Sequence, residues 1–343
     1  MQKFVSKPTL NDIARELSVT PSTVSRALNN HNSISSRTKL EVRKTASRLN
    51  YHPNKIASSL RIGKSKIVGV IIPSAEINFF GSIVHGIEKI ASEKGYNVLM
   101  FQSNEEMELE KKGIITFLRS GVDCILASIS KETTDLKHFT QVKRRGVPLI
   151  IFDRANDELN TSSVVIDDYA GAFTATQHLI EQGCRRIAHI AGQQHVSIFK
   201  QRLNGYLDAL KKHGFTIDDS LIKYGRVTID SGIQCMNQLL SLEHAPDAVF
   251  AVEDFTALGV IQAIKAAGKK IPFDVAIVGF ANEGFGQYIT PSLSTVDQQT
   301  IKMGEEAAKL FFDASDNHSF YEEAPKKITL KPELIIRESS RRI

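Results

Sequence analysis

A short segment near the start of the chain, "TPSTVSRALN" (20–29), carries polar side chains suited to contacting nucleic acid. Ser22, Ser25, Arg26 and Asn29 recur at i, i+3, i+4 and i+7, so they share one face of a helix. A solvated face usually carries Glu and Lys pairs, whereas this one has no carboxylate. Arginine can donate two hydrogen bonds to guanine, and Ser and Asn can reach phosphates or bases. The face indicates DNA contact, with an ordinary three-helix bundle as the alternative.

Three predicted helices position this face. Thr9 is the expected N-cap of the first helix, with Asp12 completing a capping box. Thr20 is the expected N-cap of the second, and Pro21 then stands at the first helical position, where its missing N–H costs nothing. A third helix is predicted from 35 to about 49. Because only a few residues join the first two helices, the pattern predicts a helix-turn-helix with a supporting helix.

The charge is concentrated in the same part of the chain. The 343 residues carry a net charge of +5, but residues 1–66 hold 13 Lys and Arg against 3 Asp and Glu. The remaining residues hold 30 Lys and Arg against 35 Asp and Glu. A basic head on a mildly acidic body is typical of a nucleic-acid-binding domain joined to a larger soluble domain. The length suits about two or three domains.

Several classes of protein are disfavoured by what the sequence lacks. No apolar run reaches the roughly 18 residues of a membrane span, and the first residues lack the apolar segment of a signal peptide, so we expect a cytoplasmic protein without membrane contact. Cys124, Cys184 and Cys235 fit neither a disulfide framework nor a zinc site, and we expect buried thiols. Neither a glycine-rich phosphate loop nor a nucleophile elbow is found, and the histidines are scattered. We expect no enzyme activity, no cofactor and no metal site.

From residue 67 onward, short apolar runs alternate with helical stretches, which predicts parallel α/β structure. The runs form two series, as expected for two similar lobes with a ligand in the cleft at the carboxyl ends of their strands. The predicted strands are 67–73, 96–102, 124–128 and 148–153 in the first series, and 163–167, 186–192, 248–252 and 275–280 in the second.

Three segments together resemble one family: "TLNDIARELSVTPSTVSRALN", "ISSRTKLEVRKTASRLNYHPNKIASSL" and "SKIVGVIIP". They resemble the lactose-repressor/galactose-repressor (LacI/GalR) family of bacterial transcription regulators. The similarity continues through "VIDDYAGAFTATQHLIEQGCRRIAHIAG", "RLNGYLDAL" and "PDAVFAVEDFTALG", and so covers nearly the whole chain.

The resemblance implies a domain plan. The body is expected to have the type I periplasmic-binding-protein fold, an α/β structure of two parallel-sheet, Rossmann-like lobes between which the chain crosses three times. The implied plan is an all-α helix-turn-helix DNA-binding domain at 1–52, a hinge helix and linker at 53–66, and a bilobed effector-binding and dimerisation domain at 67–343. Lobe 1 is expected at 67–162 and 298–325, and lobe 2 at 163–297 and 326–343.

The resemblance also implies roles in the head. Pro21, Ser22 and Arg26 would read bases, but Pro21 can offer only apolar contact. Ser22 and Arg26 would therefore provide most of the sequence discrimination. The implied contacts to the DNA backbone are Ser25, Asn29, Ser35, Thr38, Tyr51 and Asn54.

The segment "NKIASSLR" (54–61) has helical spacing but is only two turns long. An isolated helix shorter than roughly 12–15 residues is marginal in water, so this one needs a partner. The resemblance implies a hinge helix that folds when two copies meet on the operator. Leu60 would then be a wedge between base pairs, with Ala57 near its twin and Arg61 by the minor groove. The alternative is that Leu60 is an ordinary linker residue.

For the cleft, the resemblance implies a small-molecule effector that is a sugar or sugar derivative. In the segment "VGFANE", Ala281 replaces an aspartate that commonly binds ligand hydroxyls, and Glu253 stands where relatives often have asparagine. Lys200 and Arg202 leave room for an anionic ligand, whereas Glu253 argues against an acidic group on its side. Arg202 in a structural ion pair and Phe80 in the core remain alternatives. The implied effector-binding residues are Phe79, Phe80, Asp153, Arg202, Glu253, Asn282 and Gln298.

Together these features predict a sequence-specific transcriptional regulator, most simply a repressor. A homodimer joined through the body would bind a palindromic operator, because one helix-turn-helix reads only half a site. Effector binding would change the lobe angle and thereby the spacing of the hinges, and either sign of control is physically available. A transport-type sugar-binding protein without gene regulation and a sugar-processing enzyme are the alternatives.

Overall fold

The computed structural model describes residues 8–51, 63–315 and 320–342. The chain divides into two compact units, Met1–Ser65 and Lys66–Ile343, of which the first is helical and the second is α/β. No helix within these described ranges is long and apolar enough to cross a membrane.

The first unit is a bundle of three short helices around a small apolar core. Ile13, Val24 and Val42, one from each helix, are fully buried. The backbone N–H of Thr9 donates to the Asp12 carboxylate at 2.8 Å, which confirms the predicted start of the first helix. The helices are α1 (Leu10–Glu16), α2 (Pro21–Leu28) and α3 (Ser36–Arg48).

The next two helices also begin at side-chain caps. The Thr20 hydroxyl accepts a hydrogen bond from the backbone N–H of Thr23 at 3.2 Å, and Pro21 is the first residue of α2, as predicted. The Ser35 hydroxyl accepts from the backbone N–H of Thr38 at 3.2 Å. Ser35 is thus the N-cap of α3 rather than its first residue.

The second unit contains a larger parallel sheet with helices on its faces. Its strands are β1 (Ile67–Ile72), β2 (Asn97–Gln102), β3 (Cys124–Ala127), β4 (Leu149–Phe152), β5 (Ser162–Ile166) and β11 (Lys327–Leu330), in the spatial order β11-β5-β4-β3-β1-β2. The covering helices are α4 (Asn78–Glu93), α5 (Met107–Ser120), α6 (Lys137–Arg144) and α11 (Thr300–Ser315).

A smaller parallel sheet forms the second lobe, so the predicted bilobed α/β fold is confirmed. Its strands are β6 (Ile187–Ala191), β7 (Ile222–Tyr224), β8 (Ala248–Ala251) and β9 (Ala276–Val278), in the order β7-β6-β8-β9. An antiparallel pair is formed by β10 (Thr295–Asp297) and β12 (Glu333–Ile335). The helices of this lobe are α7 (Asp168–Glu181), α8 (Ser197–Lys212), α9 (Ile229–Leu240) and α10 (Asp254–Ala266).

The division of strands between the lobes differs from the prediction at two places. The assignment of strand 163–167 to lobe 2 is wrong, because Val164 pairs with Phe152 in the larger sheet. Strand β11 also joins this sheet, with Ile328 beside Val164, although 326–343 is predicted to lie in lobe 2. An apolar run predicts a buried strand, but its pattern does not specify which sheet the strand joins.

Helices α4 and α11 pack closely because each presents a glycine at their contact. A Cβ atom at Gly86 would overlap the backbone oxygen of Ile301, and one at Gly304 would overlap the backbone oxygen of Ile83. Backbone atoms cannot rotate away, so a side chain at either site would push the helices apart. This contact fixes α4, whose first turn contributes to the cleft described below.

Gly86→Ala is expected to lower the free energy of unfolding by about 1–3 kcal/mol, because it overpacks this helix contact. Gly81 lies in the same helix and provides the control, since a Cβ atom added there would meet nothing within 4 Å. Gly81→Ala is expected to raise the free energy of unfolding by about 0.5–1 kcal/mol, because alanine reduces the backbone conformational entropy of the unfolded chain and meets no steric conflict in the folded helix. Urea titration measures both values, and equal effects would contradict the tight contact.

Candidate functional site

Helix α2 presents its predicted DNA-contacting face to solvent. Pro21, Ser22, Arg26 and Asn29 are exposed or partly exposed, and Ser25 is half-buried. Within the part of the chain that the structure describes, the Arg26 guanidinium forms no hydrogen bond or ion pair. Its donors are therefore available for a base edge or a phosphate.

Local hydrogen bonds orient two polar side chains of this face. The Ser22 hydroxyl lies 2.8 Å from the Thr20 hydroxyl. The Asn29 amide nitrogen donates to the backbone oxygen of Ser25 at 2.7 Å, which leaves the Asn29 side-chain oxygen available to accept. The face therefore offers both donors and acceptors in fixed positions.

The other predicted backbone contacts lie on or beside α3. Ser35 is exposed and its hydroxyl lies 2.9 Å from that of Thr38, at the start of the same helix. Tyr51 is half-buried and packs against the core of the bundle, and this burial raises its pKa. The predicted contacts that lie outside the described residues are Asn54, Ala57, Leu60 and Arg61.

A cavity in the body lies where strands of both sheets end. Segments that follow β1, β3 and β4 border it from the larger sheet, and segments that follow β7, β8 and β9 border it from the smaller one. Parallel strands bring their carboxyl ends to one edge, which is where α/β folds bind ligands. The structure brings six predicted effector-binding residues to this cavity: Phe79, Phe80, Asp153, Arg202, Glu253 and Gln298.

Aromatic rings form part of the cavity wall. Phe79 and Phe80 pack edge to face with ring centroids 5.0 Å apart. Phe80 is only 2% exposed and belongs to the core cluster of the first lobe, so it packs the core as well as bordering the cavity. Phe199 and Phe255 line the cavity from the second lobe. Such rings can stack on the apolar face of a sugar or on a flat base.

Arg202 is buried and held by a dense set of partners. Its Nη2 atom lies 2.7 Å from Asp168 Oδ1, and its Nε donates to the same oxygen at 2.8 Å. Nη1 donates to the backbone oxygen of Val252 at 2.8 Å, and Nη2 donates to Gln298 Oε1 at 3.4 Å. The guanidinium carbon lies 3.7 Å from the centroid of the Phe280 ring. Arg202 thus forms a structural ion pair with Asp168 and also borders the cavity.

A second charged cluster occupies the first-lobe side of the cavity. Arg154 donates to Glu105 Oε2 at 2.8 Å, and Lys131 Nζ lies 3.3 Å from Glu105 Oε1. Asp153 is buried and accepts from the Ser128 hydroxyl at 3.2 Å. Burial raises the pKa of Asp153. On this side of the cavity, Glu105 thus pairs with both Arg154 and Lys131, and Asp153 is hydrogen-bonded to Ser128.

Three carboxyl groups lie on the second-lobe side, of which Glu253 and Glu283 line the cavity and Asp254 is fully buried. Glu253 caps α10 and accepts from the backbone N–H groups of Phe255 and Thr256. Burial, followed by the charge of Asp254, raises the pKa of Glu253 to about 8. Burial also raises the pKa of Asp254 to about 6 and raises that of Glu283. Glu253 is therefore mostly protonated at neutral pH.

The raised pKa of Glu253 predicts how stability depends on pH. Between pH 6 and 8 the folded state keeps a proton that the unfolded state has lost, so the free energy of unfolding falls as the pH rises. Glu253→Gln keeps the cap acceptor but removes the titration, so its stability should change less over this range. Urea titrations at both pH values measure this, with the exposed Glu243→Gln as control. If the free energy of unfolding changes equally between pH 6 and pH 8 in the wild type, Glu253→Gln and Glu243→Gln, Glu253 does not have the raised pKa.

The prediction that Asn282 binds the effector needs correction, because Asn282 does not line the cavity. Its amide donates to Asp297 Oδ2 at 2.9 Å, and its side-chain oxygen accepts from Arg337 Nη2 at 2.8 Å. Ala281 and Asn282 both have positive φ, so the chain turns sharply here. Ala281 and Glu283 border the cavity instead.

Comparison with known proteins identifies the two parts of the chain. Residues 9–54 match the model for bacterial regulatory proteins of the lacI family, and residues 176–340 match the periplasmic binding protein-like domain. The HTH-type transcriptional repressor PurR of Pasteurella multocida (strain Pm70) is 30% identical over 335 residues, covering 96% of this chain and 98% of that protein. The chain belongs to the lacI family. It is a DNA-binding transcriptional repressor and not an enzyme.

Other proteins support the same assignment of this lacI-family repressor. The HTH-type transcriptional repressor CytR of Escherichia coli (strain K12) is 33% identical over 312 residues, covering 91% of each chain. A solved complex of the transcriptional regulator CelR with cellobiose is 30% identical, with a TM-score of 0.73, and covers 97% of this chain and 99% of CelR. The lac repressor dimer bound to operator and the anti-inducer ONPF has a TM-score of 0.86 at 24% identity, covering 98% and 99%, which shows the shared fold. Membership of the family rules out the transport-type and enzyme alternatives.

Sequence reasoning missed several residues that border the cavity of this repressor. Lys131 and Arg154 follow strands β3 and β4, so the rule of looking past strand ends could have found them. Phe199 lies three residues before Arg202 and therefore on the same face of α8. The remaining residues of the cavity wall that the sequence did not indicate are Ile77, Ile198, Phe255 and Glu283, whereas the resemblance already places Ala281 at a ligand-binding position of the family.

The cysteines of the repressor are free and buried, as predicted. Burial raises the pKa of Cys184 to about 11, and it also raises the pKa of Cys124 and Cys235. A raised pKa keeps a thiol in its unreactive protonated form. In the ranges that the structure covers, no group of three His, Cys, Asp or Glu side chains is arranged to hold a metal ion.

Proposed function

We propose that this lacI-family repressor binds a palindromic operator as a homodimer and responds to a sugar or sugar derivative in the cleft. The observation that carries the proposal is the solvent-facing, carboxylate-free face of α2, whose Arg26 has no partner among the described residues. Arg26 and Ser22 would read bases, and Ser25 and Asn29 would contact phosphates. The protein would act in the cytoplasm, where its DNA target lies.

An exposed apolar strand supports the homodimer. Strand β2 is an edge of the larger sheet, and its Leu99 and Met100 are 39% and 47% exposed. An edge strand with large apolar side chains is a site for pairing with another chain. A second copy of this chain would cover the strand and place two head domains on one operator. Two half-sites would then be separated by about 10–10.5 bp or a multiple of that distance.

The composition of the cleft supports a sugar effector. Sugars need hydrogen-bond acceptors and donors for their hydroxyls and a flat apolar surface for their ring faces. Asp153, Glu253 and Gln298 supply polar groups, and Phe79 and Phe199 supply rings. The cellobiose complex of CelR, a relative of similar length, supports the same class of ligand.

The proposed mechanism couples the cleft to the hinge segment. Ligand binding would change the angle between the lobes and so move the points where the two hinges of a dimer leave the body. The hinge helices could then no longer pair on the operator. The ligand must bind the two lobe arrangements with different affinity, which typically gives a coupling of about 1–3 kcal/mol.

Selection of bound fragments from random DNA tests the proposal. A symmetric site with the half-site spacing given above is expected. Arg26→Ala should then weaken operator binding by about 1–3 kcal/mol and relax the base preference at one position per half-site. Arg15→Ala removes the same charge from an exposed position on α1 and serves as control. Equal weakening on all DNA sequences would make Arg26 a phosphate contact, and the absence of any selected site would contradict the proposal.

A further inference from the structure

The cations that border the cleft are already paired within the protein. Arg202 is paired with the buried Asp168, at 2.7 Å. Lys131 and Arg154 both pair with Glu105, at 3.3 and 2.8 Å. An anionic ligand would have to compete with these carboxylates for each cation. Among the described residues that line the cleft, each cation therefore already has a carboxylate partner, and Arg154 Nε, which has no hydrogen-bond partner, can still donate to a neutral ligand oxygen such as a hydroxyl.

Lys200 does not supply the missing cation. The sequence suggests Lys200 as a partner for an anionic ligand, but the residue is exposed and does not border the cavity. Its neighbours Phe199 and Arg202 face the cavity instead. Lys200 is one residue after Phe199 and two residues before Arg202. In a helix, residues one or two positions apart lie on different faces, so Lys200 does not share the face of α8 that borders the cavity.

Two carboxyl groups at the cleft, by contrast, lack a paired cation. Glu283 is 4% exposed and accepts the backbone N–H of Phe79, at 3.2 Å through Oε1. Glu253 accepts two backbone N–H groups of its own helix. Across the described ranges of the body, neither carboxyl group forms an ion pair. Glu283 is buried and Glu253 is half-buried, and carboxyl groups removed from water without a cation are costly to ionise unless a bound partner supplies the charge.

We propose that the effector of this repressor carries a protonated amine, which binds on the side of the cleft formed by Glu253 and Glu283. The ligand class is then a cationic sugar derivative, of which the amino sugars are the simplest members. This inference rests on the proposed sugar-binding function of the same cleft. The ring of Phe255, in the same cavity wall as these carboxyl groups, can add a cation–π contact.

The electrostatics of the cleft favour this choice over a neutral or anionic sugar. Asp254 lies behind these two groups as a third carboxyl group that is fully buried and does not itself border the cavity, and its Oδ2 accepts the backbone N–H of Glu283 at 2.7 Å. Burial raises the pKa of all three carboxyl groups, and the charge of Asp254 raises the pKa of Glu253 and Glu283 further. An ammonium group would stabilise their ionised forms, whereas a phosphate or carboxylate would add to the repulsion. The amine thus gains charge-assisted hydrogen bonds that a hydroxyl cannot make.

A charge-matched ligand series tests the inference on the full chain. Glucosamine, galactosamine and mannosamine are compared with their N-acetyl forms, the parent hexoses and the hexose 6-phosphates by thermal shift and calorimetry. At least one amine should bind about ten-fold more tightly than its N-acetyl form, in line with one charge-assisted hydrogen bond. Its phosphate counterpart should bind more weakly than the parent sugar. A series in which no amine is preferred, or in which a phosphate binds best, overturns the inference.

A paired variant assigns the preference to Glu283. Glu283→Gln keeps the acceptor for Phe79 but loses the charge, so the ratio of amine to N-acetyl affinity should fall toward one. Glu243→Gln removes a charge at an exposed site of the same lobe and should leave the ratio unchanged. An unchanged ratio in a folded Glu283→Gln protein contradicts the assignment.

Operator selection separates the two proposals. A chain that selects an operator but prefers a neutral sugar contradicts only the proposed amine. A chain that selects no operator and binds no sugar contradicts both the proposed function and the proposed amine.

Discussion

Arg202→Ala is expected to lower the free energy of unfolding by about 3–5 kcal/mol, because it leaves Asp168 buried without its charged partner. The two side chains are 2% and 5% exposed, and Arg202 makes two contacts to the same carboxylate oxygen. The variant also leaves the backbone oxygen of Val252 without the hydrogen bond that Arg202 Nη1 donates to it. An arginine reserved for the effector would be replaced at much smaller cost to the free protein.

Two further variants separate charge pairing from ligand contact. Arg185→Ala, at an exposed position of the same lobe, should change stability by no more than about 0.5 kcal/mol. The double variant Arg202→Met with Asp168→Asn removes both charges and should recover much of the loss, since a buried pair can often be replaced as a unit. Urea titration measures all of these values. A loss for Arg202→Ala no larger than that for Arg185→Ala would contradict the buried ion pair.

Leu60→Ala is expected to weaken operator binding by a few kcal/mol, because the proposed wedge no longer occupies the gap between unstacked base pairs. Folding of the body and ligand binding should be unaffected, since residue 60 precedes the unit that begins at Lys66. Fluorescence anisotropy with the selected operator measures the affinity. The corresponding loss in affinity is on the order of a hundred-fold.

Ser59→Ala, one residue earlier in the same segment, is the control for this prediction and should change affinity little. Hydrogen exchange adds a second readout, in which the amides of residues 54–61 should gain protection only when operator is present. Unchanged operator affinity in Leu60→Ala would remove the wedge hypothesis. Equal protection with and without operator would remove the proposed folding of the hinge.

The helix starts and the inward-facing positions of the helical unit could be predicted from the sequence, because both depend on residues close together in the chain. The caps at Thr9 and Thr20 depend on hydrogen bonds that span three residues, so residue types at that spacing suffice. The inward positions of Ile13, Val24 and Val42 follow from helical periodicity. The position of the cleft could also be predicted, because parallel strands bring their carboxyl ends together whatever lies between them, although only six of the fifteen residues that border it are among the predicted effector-binding residues.

What the sequence could not predict depends on contacts between distant residues. The partner of Arg202 is Asp168, 34 positions earlier, and no local pattern relates the two. The Asn282 side chain is hydrogen-bonded to Arg337, 55 positions later, and does not border the cleft. Strand β5 joins the larger sheet through pairing with β4, which an apolar run does not encode. These long-range pairings decide which of several suitable side chains faces the ligand.

Occupancy of the cleft is proposed to control operator binding, and this coupling is the property on which the repressor's regulation depends. It is tested most directly by measuring the operator affinity of the full chain with and without the sugar that raises the melting temperature most. A coupled repressor should show a change of roughly 5–150-fold, in either direction, and the operator should change the affinity for the sugar by the same factor. If saturating sugar leaves the operator affinity unchanged, the cleft does not regulate the DNA-binding head, which contradicts the proposed coupling.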